Sequence, residues 1–121
     1  MIKIPVKRSL GEIRSLILEY TPPGSSSDEV RDFIDHRLFR RIHHENKQYK
    51  RKPVRYIKED WELDRIKTYD WWPKEIELGG IIKTPIDYYG FFPKKVVGAT
   101  WCFDKNDRLV AVKPYKSTAA T

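Results

Sequence analysis

Cysteine is nearly missing from this chain: Cys102 stands alone in 121 residues. No disulfide can form within it, and no Cys and His cluster at zinc-finger spacing exists. Long apolar runs are missing too. Nothing approaches the ~20 apolar residues of a membrane-spanning helix, and Met1 to Arg8 lacks the apolar stretch of a signal peptide. A soluble, cytoplasmic protein is the expectation, although a leader removed upstream leaves the same appearance. Gly79-Gly80 lacks the later Gly and the Lys-Ser/Thr pair of a phosphate loop. No catalytic signature stands out, and neither a cofactor nor a metal is expected.

Acids are scarce in one place. From Arg37 to Lys58, Glu45 faces nine Lys and Arg residues, a local balance of +8, while the remaining chain carries 15 bases and 16 acids. The whole formal charge of +7 therefore resides in one stretch. Clustered like charge attracts a polyanion or an acidic protein face better than the same charge dispersed.

What is abundant is ring area. Sixteen aromatics (7 Tyr, 5 Phe, 4 Trp) offset a modest aliphatic content, and the length suits one domain over 1–121 with a real core. Loose ends are expected at 1–8 and 116–121.

Ser9 followed by Glu12 has the form of a capping box, and Leu10, Ile13, Ile17 and Tyr20 recur at helical spacing. A helix over 9–20 follows, weakened by about 1 kcal/mol at Gly11; Leu16 to Leu18 would also suit a strand. Thr21 to Ser27 breaks the chain, and Ser26 with Glu29 repeats the capping box. Val30, Phe33, Ile34, Leu38 and Ile42 then predict a helix over 27–44, acidic early and basic late as the helix dipole favours.

Val54 to Ile66 reads as short strands or a hairpin. From Glu75 the strand signal strengthens. Val97, Ala99, Trp101 and Phe103 alternate on one face, the polar turn Asp104 to Asp107 follows, and Leu109 to Val112 returns. The expected architecture is α+β, two N-terminal helices packed on an antiparallel sheet of about four strands.

Pro22 to Val30, a glycine turn with a polar helix start, and Ala99 to Val110, an aromatic strand with Phe-Asp, a polar turn and Leu-Val, together resemble small outer-membrane assembly lipoproteins and β-lactamase inhibitor proteins. The resemblance implies helices on an antiparallel sheet and a role in binding proteins rather than in catalysis. Residues 40–60 and 69–92 depart from the pattern.

Three groups are candidate sites. The basic stretch with Tyr49, Tyr56 and Trp61 has the bases and rings of a single-strand binder; its bland account is a surface neutralised by Glu59, Asp60, Glu62 and Asp64 across a hairpin. His36, His43 and His44 suit a helix end better than a metal site, because adjacent helical residues point about 100° apart. The aromatic bursts Tyr69, Trp71, Trp72 and Tyr88, Tyr89, Phe91, Phe92 serve either a surface or a core. Cys102 is expected to be a buried structural thiol on the opposite face from Trp101 and Phe103.

The function expected is non-catalytic binding of an acidic protein partner, of immunity, inhibitor or accessory type. Arg40, Arg41, Arg51 and Arg55 supply charge, and Trp71, Trp72 and Tyr89 supply anchors. The alternative is a nucleic-acid binder using Lys47, Tyr49, Lys50, Arg51, Lys52, Tyr56 and Trp61. A small ribonuclease using a histidine ranks behind both.

Overall fold

The computed structural model describes residues 1–41, 53–91 and 93–119. Helix α1 spans Leu10–Tyr20 and α2 spans Ser27–Asp32; a π-helical turn, Phe33–Arg37, continues α2, and α3 spans Asp60–Lys67. Strands β1 (Leu78–Tyr89), β2 (Lys94–Asp104) and β3 (Leu109–Ala119) form one antiparallel meander in the order β1-β2-β3. The class is α+β, but among the described residues the sheet has three strands rather than about four, and a third helix stands where a hairpin was expected at 54–66.

Helix α1 starts as its capping residues dictate. Ser9 Oγ accepts the Glu12 amide at 3.2 Å, and Ile13 and Ile17, one turn apart, are fully buried. Burying each such side chain contributes about 1.5–3 kcal/mol. At the far end, Thr21 Oγ1 donates to the Ile17 carbonyl at 2.9 Å and accepts from Trp101 Nε1 at 3.1 Å. That buried pair fastens α1 to β2.

The capping box of α2 is complete, with Ser26 Oγ accepting from the Glu29 amide and Glu29 Oε1 accepting from the Ser26 amide, both at 3.1 Å. The helix expected over 27–44 nevertheless ends early. Leu38 turns extended (φ −81°, ψ 126°), its amide reaching back to Phe33. Beside it the N-terminus makes a parallel bridge: the Ile2 amide donates to Arg37 O and the Phe39 amide to Ile2 O, each at 2.7 Å. Pairing with the N-terminus outweighs helical propensity here. Ile4 and Val6 follow into the core, so residues 2–6 are not a loose end, and β3 likewise carries ladder pairs as far as Ala119.

The β2–β3 hairpin forms as expected around Asp104, whose Oδ1 accepts the Asn106 amide at 2.9 Å and the Arg108 amide at 3.0 Å. Val97, Ala99, Trp101 and Phe103 are all fully buried on the inner face. They pack against α1, α2 and the N-terminal segment. The outer face is different. Leu63, Ile66, Trp72 and Ile76 of α3 and its following loop cover Leu78, Ile81 and Cys102, with Ile57, Val110 and Ala111 partly buried against them; the rows from Lys83 and Lys113 onward lie outside that cluster.

Candidate binding face of the sheet

Alternation and register decide which side chains share the uncovered part of the outer face, because cross-strand partners project together. Lys83 lies opposite Thr100, and Thr100 opposite Lys113; the next row is Pro85, Gly98 and Tyr115; the third is Tyr88, Val96 and Ser117. At the covered end, Arg65 and Glu62 of α3 and the rings of Tyr69 and Trp71 rise beside Lys83 and Lys113, lining a depression of about 200 Å³.

Rings and cations interleave in this depression. Tyr69 and Trp71 stack at 5.7 Å, Lys113 Nζ lies 5.5 Å from the Trp71 ring centre, and Lys83 Nζ lies 5.4 Å from that of Tyr115. Such contacts hold a lysine over a ring without neutralising it. Glu62 is the one acid among the described lining residues, against Arg65, Lys83 and Lys113. Tyr115 lies on Gly98, where any Cβ would overlap its hydroxyl and come within 2.6 Å of the Thr84 carbonyl oxygen. Burial pushes the Tyr115 hydroxyl above the usual tyrosine range, so it is a donor at neutral pH.

The expected site residues scatter. Arg40 is a structural residue: its side chain is only 3% exposed, bonding Asp35 Oδ1 at 3.2 Å and Thr84 Oγ1 at 3.0 Å, while Asp35 also accepts the Val54 amide at 3.1 Å. It clamps three segments and cannot present charge to a partner. Trp72 is 2% exposed with Nε1 donating to Ile76 O at 3.0 Å, and so belongs to the core beneath α3 rather than to a contact surface. Trp71 alone of the expected anchors joins the depression. Arg41 and Tyr89 line a separate groove beside the N-terminal segment.

Arg55 is exposed and pairs with Glu59 at 2.7 Å, four residues along the chain just before α3 rather than across a hairpin. Glu59 is held below the usual carboxylate range by its own backbone amide first and by Arg55 second. Tyr56 is no stacking platform: it is half-buried, edge-on to Phe103 at 5.5 Å, and fills the space over Gly80. Burial, with Asp107 and Asp104 nearby, raises its pKa. Trp61 is 64% exposed on α3. Lys47, Tyr49, Lys50, Arg51 and Lys52 lie outside the described residues, as do His43, His44 and Phe92.

His36 is exposed, 3.9 Å from Asp32. Among the described residues no three His, Cys, Asp or Glu side chains are grouped as a metal would require, and no helix is long and apolar enough to cross a membrane. Cys102 is fully buried beneath α3, which pushes its thiol up to about 12 and keeps it protonated and unreactive at neutral pH.

Arg65, Lys83, Lys113 and Tyr115 were not singled out from the sequence. Their signal is phase: in the strands, Lys83, Lys113 and Tyr115 occupy the face opposite the buried Trp101 row. No family model, curated protein or solved structure matches this chain.

Proposed function

We propose that this chain is a non-catalytic protein-binding module that engages an acidic protein face through the outer face of its sheet. The observation that carries the reading is the set Arg65, Lys83 and Lys113 around Tyr69, Trp71 and Tyr115, with Glu62 the one acid among them. Cations poised beside rings supply both charge complementarity and large apolar contact area, a combination frequent at interface hot spots. An immunity, inhibitor or accessory role fits a small, charge-polarised module, because electrostatic steering raises association rates with an oppositely charged partner.

The rings favour a protein over a nucleic acid. Trp71 is occupied by Tyr69 and approached by Lys113, and Tyr115 lies between Lys83 and the Gly98 backbone. Stacked bases would need the faces of Trp71 and Tyr115, which these contacts already use, whereas a protein partner can pack on ring edges and on the exposed Tyr69. Carboxylates need only the ammonium groups, which remain exposed.

The test is affinity capture from the native host with wild-type protein, the double variant Lys83→Glu/Lys113→Glu, and Lys105→Glu as a surface control. The double reversal is expected to abolish retention of acidic proteins that the control keeps. Labelled single-stranded RNA titrated across a salt series is expected to show no saturable binding. Capture indifferent to the double reversal, or RNA binding with a steep salt slope that the double reversal removes, overturns the reading.

A further inference from the structure

A second groove lies on the other side of β1. The N-terminal segment alternates, with Ile4 and Val6 buried and Lys3, Pro5 and Lys7 exposed. Opposite it, the end of β1 presents Asp87, Tyr88 and Tyr89. The space between is about 520 Å³, within the range of small-ligand sites, roughly 300–1,000 Å³.

Arg41 is fixed at this groove by three contacts. Its amide donates to Ile86 O at 2.8 Å, its Nε to Asp87 Oδ1 at 2.9 Å, and its guanidinium lies 4.8 Å from the Tyr88 ring centre. Asp87 is itself 3% exposed, whereas the Arg41 side chain remains 52% exposed. A buried carboxylate thus holds an accessible guanidinium in place. Asp87 engages Nε, so the two Nη groups of the fork are left for a ligand, the geometry that suits a phosphate. Lys3, Lys7 and Arg8 line the same groove, in which Asp87 is the one acid among the described residues. Pro5 and the sides of Tyr88 and Tyr89 provide apolar walls for the body of a ligand.

We propose that this groove binds a small organic phosphate ester with a flat apolar body. The phosphate meets the Arg41 Nη groups, Lys3 and Lys7; the body rests against Pro5 and the edge of Tyr89, whose ring Lys116 Nζ approaches at 5.2 Å. Orientation comes from the fixed guanidinium, because a preorganised donor loses little freedom on binding. Tyr88 also borders the far end of the outer face, but the groove shares no lining residue with the depression around Trp71.

Titration of isotopically labelled protein with 1-naphthyl phosphate, followed through amide chemical shifts, tests the proposal. Saturable shifts are expected at residues 3–8 and 87–89. The exposed-surface variant Lys3→Gln/Lys7→Gln is expected to keep the wild-type spectrum elsewhere and to weaken binding about tenfold or more. Inorganic phosphate and 1-naphthol, titrated separately, are each expected to bind at least about tenfold more weakly than the ester, since each keeps only half of the contacts. Absent shifts in those segments, unchanged affinity in the double variant, or a naphthol or phosphate as good as the ester would overturn it.

Discussion

Two sets of basic residues in this molecule have opposite fates. The described Arg and Lys residues crowded between Arg37 and Lys58 in sequence do not converge on one face: Arg40 is buried with Asp35, Arg55 pairs with Glu59, Arg41 is held by Asp87 at the N-terminal groove, Arg37 lies beside the Tyr20 and Phe33 rings and Lys58 over Tyr56. Arg65, Lys83 and Lys113, far apart in sequence, converge around Trp71 and Tyr115. Charge density along a chain is not charge density on a surface. A base next to its neighbours in sequence can still be carried inward by the turn it sits on, as Arg40 is just after the π-helical turn.

The largest expected effect separates these two sets. Arg40→Ala strands the Asp35 carboxylate and Thr84 in a nearly dry site, and removing one partner of a buried ion pair costs about 3–5 kcal/mol. Lys83→Ala, at an exposed strand position, should stay within about 0.5 kcal/mol of wild type. Urea denaturation of the two variants checks the contrast. An Arg40→Ala protein as stable as Lys83→Ala would place Arg40 back at the surface and collapse the distinction.

A middle-sized effect sharpens the outer face. Gly98→Ala puts a Cβ against the Tyr115 ring and the Thr84 carbonyl. The ring can swing away but the backbone oxygen cannot, so a cost of about 1–3 kcal/mol is expected. The displaced ring should also carry Lys83 with it. Thermal unfolding reads the first consequence, and the amide shifts of Lys83, Thr100 and Lys113 read the second. A neutral substitution without such shifts would mean that Tyr115 does not lie on Gly98.

Much of the fold was legible in residues with local chemistry. Ser9 and Ser26 marked the helix starts, Asp104 to Asp107 marked the hairpin, and the Val97 to Phe103 alternation picked the buried face. The failures were long-range. Nothing local says that Leu38 leaves the helix to pair with Ile2, 36 residues earlier in the sequence. Asp60 to Lys67 did carry a helix signal, acids first and bases last with Leu63 and Ile66 one turn apart, but eight residues are short and the β-branched residues upstream obscured it. The site was less legible. Neither the face nor the partners of Lys113 and Tyr115 follow from simple alternation: Leu109 and Val112 are both on the inner face, so the irregularity between Cys102 and Phe103 reverses the phase and shifts the ladder, and Thr100 meets Lys113 and Gly98 meets Tyr115. Trp71 and Trp72 show the same limit, since adjacent rings had to part and only packing under α3 decides which one is buried.

The smallest effect belongs to Arg55, whose pairing with Glu59 is exposed on both sides, 69% and 42%. Exposed pairs of this kind are screened by water and by salt, so Arg55→Gln should leave the denaturation midpoint within experimental error. Its signature is in titration. Glu59 is depressed chiefly by its own backbone amide and only secondarily by Arg55, so the variant should raise the Glu59 pKa part of the way towards its ordinary value. A depressed carboxylate contributes stability above its unfolded pKa and loses it as pH falls through the folded one, and with Arg55 removed the contribution should be smaller and its loss complete at slightly higher pH. NMR titration of the Glu59 carboxyl in both proteins measures this. Full return to the ordinary value would make Arg55 the dominant partner and this pair stronger than its exposure allows, narrowing the contrast between the buried Arg40 clamp and the surface bases around it.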